Sequence, residues 1–301
     1  KTKLGVVTNV NPLPNETLGF YTHHPILMPL LLAGNMKIFG ITDWAIRLVP
    51  VVSAVAMIYF LFKLVHQLWD TSTAVLTAFL LALSPMLLYY SKIPIHETVV
   101  LGFIGLTLWA YVTKRYRLVA IGLILSQLTS WAGYYLSLYL PLHSLLFSHL
   151  SRRRSLALFL IAPIMFLIHG LHSFWLTGEF SQSLITAFLF RVNAPSASQI
   201  FGFSYIKFFI LQARWIVIYF TRIMVILSLV WFIRFIFDWI RHRSIKLSDS
   251  LILLLLVFGF THNAIFRQQA FIHDYTLIYA LPFFAVSSAA ILSKLKPHLI
   301  I

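Results

Sequence analysis

Residues 20–48 read FYTHHPILMPLLLAGNMKIFGITDWAIRL. Two adjacent histidines, His23 and His24, stand at its start, followed by Pro25. The apolar run after them is interrupted by Pro29, Gly34, Asn35 and Lys37. It is too short and too broken to cross a bilayer, which takes about 20 consecutive apolar residues. Its length suits a helix lying in the membrane interface. Gly40 to Asp43 then form a turn, and Arg47 sits just inside a long apolar segment. The stretch therefore reads as a loop, a surface-lying helix and the start of a transmembrane helix. Its polar groups fall where membrane meets water, a place suited to chemistry on a lipid headgroup.

The rest of the chain supports a membrane protein. Of 301 residues, 60% are hydrophobic and 10% are charged. The mean hydropathy is +0.87. The net charge of +15 comes from 23 basic against 8 acidic residues. Eleven of the 23 basic residues cluster in four short gaps between apolar runs, as the positive-inside rule describes for cytoplasmic loops. No basic helix or recognition motif points to nucleic acid. With no cysteine, disulfides, Cys-based metal sites and thiol nucleophiles are excluded.

The expected fold is all-α: a polytopic membrane protein of about nine transmembrane helices plus an interfacial helix in the first outer loop. The spans are drawn at 44–66, 73–90, 97–113, 118–130, 133–150, 156–176, 214–236, 249–266 and 275–293. On this register the basic clusters at 114–117, 152–154, 241–246 and 294–296 share one face, which is then cytoplasmic. The loops 1–42, 91–96 and 177–213, the turn near Trp131 and the loop 262–274 share the other. No internal repeat or linker divides the chain, so residues 1–301 read as one domain. An odd number of crossings ending inside, in a chain that begins at Lys1, leads to the expectation of an N-terminal truncation that removed a preceding span.

Ionisable residues gather on the outer face. Glu16, Asp43, Glu97, Glu179 and Asp274 lie there, with His23, His24, His96, His262 and His273. Lys207, Arg214 and Arg222 can be explained by snorkelling to water. Arg47 and Lys92 stand beside other polar groups at loop-to-helix junctions. In the stretch SPMLLYYSKIPIHETVV, Tyr90 ends a span, Lys92 follows, Pro94 breaks the helix and His96-Glu97 open the next span. A carboxylate in the first turn of a helix is either a dipole partner or a chemical group. As the latter, Glu97 would take a proton from an acceptor hydroxyl while a nearby cation holds a phosphate leaving group. Near the C-terminus, Arg267, His273, Asp274 and Tyr275 form a third polar group; Tyr275 and Tyr279 also read as interfacial aromatics. The histidines and acids permit a divalent metal, but no strict ligand spacing is present. Phosphate-binding Gly-rich loops are absent, which argues against a soluble nucleotide as the direct energy source, and the G-x-S-x-G elbow is absent too.

Three runs carry a resemblance: THHPILMPLLLAGNMKIFGITDWAIRL, LALSPMLLYYSKIPIHETVV and IHDYTLIYALPFF. Together with SWAGYYL at Ser130 to Leu136, they resemble glycosyltransferase family 39. This is the group of dolichyl-phosphate-mannose–protein mannosyltransferases and lipid A aminoarabinose transferases in the GT-C superfamily. The resemblance implies a multi-pass cell-membrane enzyme with an extracytoplasmic active face. It implies a hexosyl or pentosyl transfer, with inversion and without a soluble cofactor, from a polyprenyl-phosphate-linked sugar to a hydroxyl on a lipid, glycan or protein. In this family the first outer loop carries an essential Asp. Here Glu16 is the only acid before Asp43, so either Glu16 replaces it or the Asp lies upstream. By position, His23, His24, Arg47, Glu97, His273 and Tyr275 match the family's motifs.

The expected catalytic residues are thus Glu97 and Glu16. The expected substrate-binding residues are His23, His24, Arg47, Tyr90, Lys92, His96, Arg267, His273, Asp274 and Tyr275. Two other readings remain open from sequence. One is a transporter or flippase for a lipid-linked or anionic substrate, which would favour repeats and polar groups near the midplane. The other is a non-catalytic membrane scaffold.

Overall fold

The structure is a computed structural model, and it describes residues 6–7, 20–180, 182–192 and 203–295. It is helical apart from a two-residue antiparallel pair, β1 (Val6–Val7) with β2 (Phe20–Tyr21). The helices are α1 (Leu27–Phe39), α2 (Asp43–Leu68), α3 (Thr71–Ala82), α4 (Pro85–Tyr90), α5 (His96–Val112), α6 (Tyr116–Thr129) and α7 (Ala132–Phe147). They continue with α8 (Arg152–Phe159), α9 (Ile161–Thr177), α10 (Gln182–Arg191), α11 (Tyr205–Tyr219), α12 (Thr221–His242) and α13 (Leu247–Ile265). Last come α14 (Arg267–Ile272), a 3-10 turn (Asp274–Ala280) and α15 (Leu281–Leu295).

Local chemistry sets several boundaries. The Thr42 hydroxyl accepts from the Ala45 N–H at 3.4 Å and the Asp70 carboxylate accepts from the Thr73 N–H at 2.7 Å, starting α2 and α3 as N-caps. Pro85 at the first position of α4 fits the φ that a helix start needs. It also breaks the expected 73–90 span into α3 and α4, since the proline ring has no N–H to continue the ladder.

Five helical segments are long and apolar enough to cross a membrane: Asp43–Leu68, Arg152–Thr177, Thr221–His242, Leu247–Ile265 and Asp274–Leu295. The helices at 71–82, 96–112 and 116–129 are apolar but shorter. Leu27–Phe39 is the short apolar helix expected at the interface. One expected boundary is corrected. The run 214–236 is not continuous: α11 ends at Tyr219, and α12 begins at Thr221, which has a φ of +61°. The fully buried Phe220 between them stacks on Phe284, with ring centroids 4.3 Å apart, so packing overrides the uninterrupted hydropathy.

The buried centre is formed by α5 and α15. Gly102 and Gly105 bring α5 against α2. A Cβ on Gly102 would stand 2.9 Å from the Ser53 carbonyl oxygen, so a side chain there would force the helices apart. Buried serines join α15 to α12: Ser287 donates to Ser228 at 2.8 Å and Ser288 to the Met224 carbonyl at 3.0 Å. Small and hydroxylic residues allow this close approach in helices surrounded by lipid. The chain direction brings the start of α5, the end of α13, α14 and the 3-10 turn to one end of the bundle. Residues 20–25 and α10 cover that end.

Candidate functional site

Two adjoining chambers occupy the covered end. The first, about 370 Å³, is lined mainly by apolar side chains, among them Trp131, Tyr134, Phe166, Ile185, Phe188 and Phe266. Glu97, His24, Arg191, His262 and Gln269 also face it. The second, about 620 Å³, is more polar and is lined by Tyr21, His23, Thr186, His273 and Tyr275. His24, Arg191 and Gln269 line both, and so form the seam between them.

Each element has a reason to be there. Residues 20–25 are pinned by α7 and α9. The Trp131 indole donates to the His23 carbonyl at 2.8 Å, and His169 bonds the Thr22 backbone. Helix α10 divides its two faces between the chambers. Leu184, Ile185 and Phe188 turn to the apolar one and Thr186, Ala187 and Phe190 to the polar one, while Arg191 reaches both. Arg191 lies in the last turn, where a cation meets the negative end of the helix dipole. Glu97 lies in the first turn of α5, where the dipole favours a carboxylate, and it is only 4% exposed.

Arg191 is the electrostatic hub. Its charge reaches Tyr21, His23, His24, Glu97, His262, His273 and Tyr275. Burial holds the His24 imidazole well below its ordinary range, and the neighbouring His96 and Arg191 charges push the same way. Burial also lowers His23, with Arg191 adding to the effect. In His273 burial lowers the value, against an opposing pull from the Asp274 carboxylate. His24 and His96 stack with ring centroids 4.3 Å apart. The His24 Nδ1 and His96 Nε2 atoms are buried with no hydrogen-bond partner among the described residues. Buried polar atoms are rarely left without a partner. Among the described residues no group of three or more His, Cys, Asp or Glu is placed to hold a metal ion.

A family model described as dolichyl-phosphate-mannose-protein mannosyltransferase matches residues 23–125. That segment holds His23, His24, His96 and Glu97. The crystal structure of ArnT from Cupriavidus metallidurans bound to undecaprenyl phosphate superposes with a TM-score of 0.64 at 15% identity, covering 92% of this chain and 51% of that one. The chain shares the fold of that membrane protein. It is also similar to the apo oligosaccharyltransferase of Archaeoglobus fulgidus, with a TM-score of 0.55, 15% identity, and 92% and 43% of the two chains covered. At these identities the likeness is one of fold. The chain spans about half the length of the solved structures that it matches. No curated protein matches it by sequence.

The chambers bring together only part of the expected set. Glu97, His23, His24, His273 and Tyr275 line them. His96 stands directly behind His24. Arg47 and Lys92 are exposed and line neither chamber. Tyr90 and Asp274 engage each other: the Tyr90 hydroxyl donates to one carboxylate oxygen at 2.5 Å, and the Tyr219 hydroxyl donates to the other. The Arg267 guanidinium lies over the Tyr205 ring at 5.6 Å. Glu16 lies outside the described residues. Arg191, Tyr21 and Gln269 were not among the expected site residues. Arg191 stood in the sequence as one of several cations in a long outer loop, and only the α10 register singles it out.

Proposed function

We propose that this chain is a GT-C-type glycosyltransferase that transfers a sugar from a polyprenyl-phosphate-linked donor to an acceptor hydroxyl on the extracytoplasmic side of the membrane. The observation that carries the reading is Glu97: a buried carboxylate at the wall of an apolar chamber whose seam with a polar chamber holds Arg191. The aromatic and aliphatic walls suit prenyl carbons. The polar chamber suits the sugar. The seam is where a phosphate would meet the Arg191 guanidinium, which can give two parallel charge-assisted bonds. The buried His24 Nδ1 is a further donor or acceptor at the same seam.

In this mechanism Glu97 accepts the proton of the acceptor hydroxyl as its oxygen attacks the anomeric carbon. The bond from that carbon to the phosphate oxygen breaks, and Arg191 receives the charge that develops on the leaving phosphate. Water is excluded by Trp131, Phe166, Phe188 and Phe266, which strengthens both contacts. No soluble nucleotide enters the scheme. The distribution of cations supports the side. The clusters at 114–117, 152–154 and 241–246 fall at the opposite end of the bundle, the cytoplasmic end by the positive-inside rule. A site at one membrane rim suits a transferase better than a carrier that binds at the midplane.

The test is a transfer assay on membranes containing the protein, with a labelled polyprenyl-phosphate sugar as donor and the matching nucleotide sugar as control. Label should move from the lipid donor alone and be lost in Glu97→Gln. Transfer from the nucleotide sugar, or transfer unchanged by Glu97→Gln, would overturn the proposal.

A further inference from the structure

At the end of the bundle away from Glu97, a recess of about 200 Å³ is framed by Arg234, Lys246 and Lys294, with Trp69, Trp231 and Asp249. Three helices and one turn supply these residues. Arg234 comes from α12, Asp249 from the first turn of α13 with Lys246 just before it, Lys294 from the last turn of α15, and Trp69 from the turn after α2. The 19 residues of α13 alone separate Lys246 from the chambers by about 28 Å at 1.5 Å per residue. That is close to the thickness of a bilayer's hydrocarbon core. The recess and the chambers therefore sit at opposite membrane surfaces.

The charges in the recess do not balance. Asp238 is paired with Arg234 at 3.4 Å. Among the described residues, neither Lys246 nor Lys294 has a carboxylate within ion-pair distance, 4.0 Å. The charges of Arg234, Lys246, Asp249 and Asp238 all reach Lys294. Asp249 and Asp238 offset part of this charge, and the recess keeps an excess of basic over acidic groups. Beside the recess, α12 presents an unpartnered apolar face: Ile233, Phe237 and Ile240 are each more than half exposed. Trp69, in the turn after α2, stands where indoles favour the headgroup level, while Trp231 is buried and lines the recess.

We infer that this recess binds the phosphate of an anionic phospholipid in the leaflet opposite the transferase chambers. Lys246 and Lys294 would hold the phosphate oxygens, and the acyl chains would lie along the Ile233–Phe237–Ile240 face of α12. That apolar face is what favours a lipid over a free phosphate ion. The inference does not depend on the transferase reading, since none of these residues lines a chamber.

The experiment is native mass spectrometry of the detergent-purified protein offered equal phosphatidylglycerol and phosphatidylcholine. The expected result is preferential retention of phosphatidylglycerol. At about tenfold or less per basic residue near a charged surface, Lys246→Ala/Lys294→Ala should reduce that preference by roughly thirtyfold. Lys246→Arg/Lys294→Arg should keep it, and so should Lys114→Ala/Arg117→Ala, which removes charge from a different loop. Equal retention of both lipids overturns the inference, as does loss of the preference in the Lys114→Ala/Arg117→Ala control. Displacement of the lipid by millimolar inorganic phosphate also overturns it, by showing a site for free anions. Both lysines are exposed, so the alanine variants leave the packed core untouched.

Discussion

The imidazole of His24 lies flat against that of His96, their centroids 4.3 Å apart and their planes 20° from parallel. The two residues are far apart in sequence, one in the loop before α1 and the other opening α5. Their contact closes the loop over the first turn of α5 and sets Glu97 at the chamber wall. Each ring keeps one buried nitrogen without a partner among the described residues.

That stack makes stability depend on pH. His24 and His23 are held below the ordinary imidazole value of 6.5, mainly by burial, so the native state binds their protons less readily than the unfolded chain. Their contribution is complete above about pH 6.5 and is lost progressively as pH falls below that value toward the lowered native ones. Thermal unfolding of the purified protein should show a constant midpoint from pH 8 to 7 and a falling one from pH 6.5 to 5. The His24→Asn variant should show a shallower decline. A midpoint that rises on acidification would contradict the burial argument.

Glu97→Gln keeps the shape of the side chain and removes its basicity. General-base assistance contributes typically 10²–10⁴-fold, so transfer should fall by about that factor with little change in thermal midpoint. Glu97→Asp shortens the reach while keeping the charge, and should recover part of the rate. The measurement is initial rate per milligram of folded protein.

For Arg191 the expected loss lies in donor handling. Arg191→Ala removes charge-assisted bonds worth about 1.5–3 kcal/mol each, so the apparent donor KM or the rate should worsen by roughly 10- to 100-fold. Arg191→Lys keeps a point charge without the planar fork and should fall between. Raised ionic strength should not mimic the effect, because a partly buried contact is weakly screened.

Arg47 and Lys92 look in sequence like phosphate ligands, yet both are exposed and line neither chamber. Arg47→Ala and Lys92→Ala should each change the transfer rate less than about threefold, since exposed substitutions away from a site are usually worth within about 0.5 kcal/mol. A hundredfold loss in either would place the phosphate elsewhere.

Asp274 is a structural clasp. Both of its carboxylate oxygens accept tyrosine hydroxyls, Tyr90 from α4 and Tyr219 from α11. Asp274→Asn turns one acceptor into a donor facing a hydroxyl and should cost about 1–3 kcal/mol of stability. The prediction is a lower thermal midpoint with transfer per folded molecule largely kept. The opposite pattern would return Asp274 to the substrate site.

Much of this was legible in the residues. Apolar runs separated by basic clusters determine helices and their common polarity in the membrane, because an unpaired backbone is intolerable in hydrocarbon and charge is retained on one side. The THHP and HET motifs singled out His24 and Glu97 by their place at span boundaries, although a first-turn carboxylate also reads as a helix-dipole partner. Other features depended on tertiary structure. The 214–236 run hid a break at Phe220, since hydropathy does not register a ring stacking on Phe284.

By itself, then, the sequence determined a helical membrane protein with its ionisable groups crowded at one rim. Only the tertiary structure decided which of them meet. It set Glu97 in the wall of the chamber whose seam holds His24 and Arg191, clasped Asp274 between two tyrosines, and left Arg47 and Lys92 facing outward. The reason is physical: hydropathy has a period along one helix, whereas a site is assembled from the ends of several. Which ends converge depends on close approaches such as that of Gly102 on Ser53, which no local pattern records.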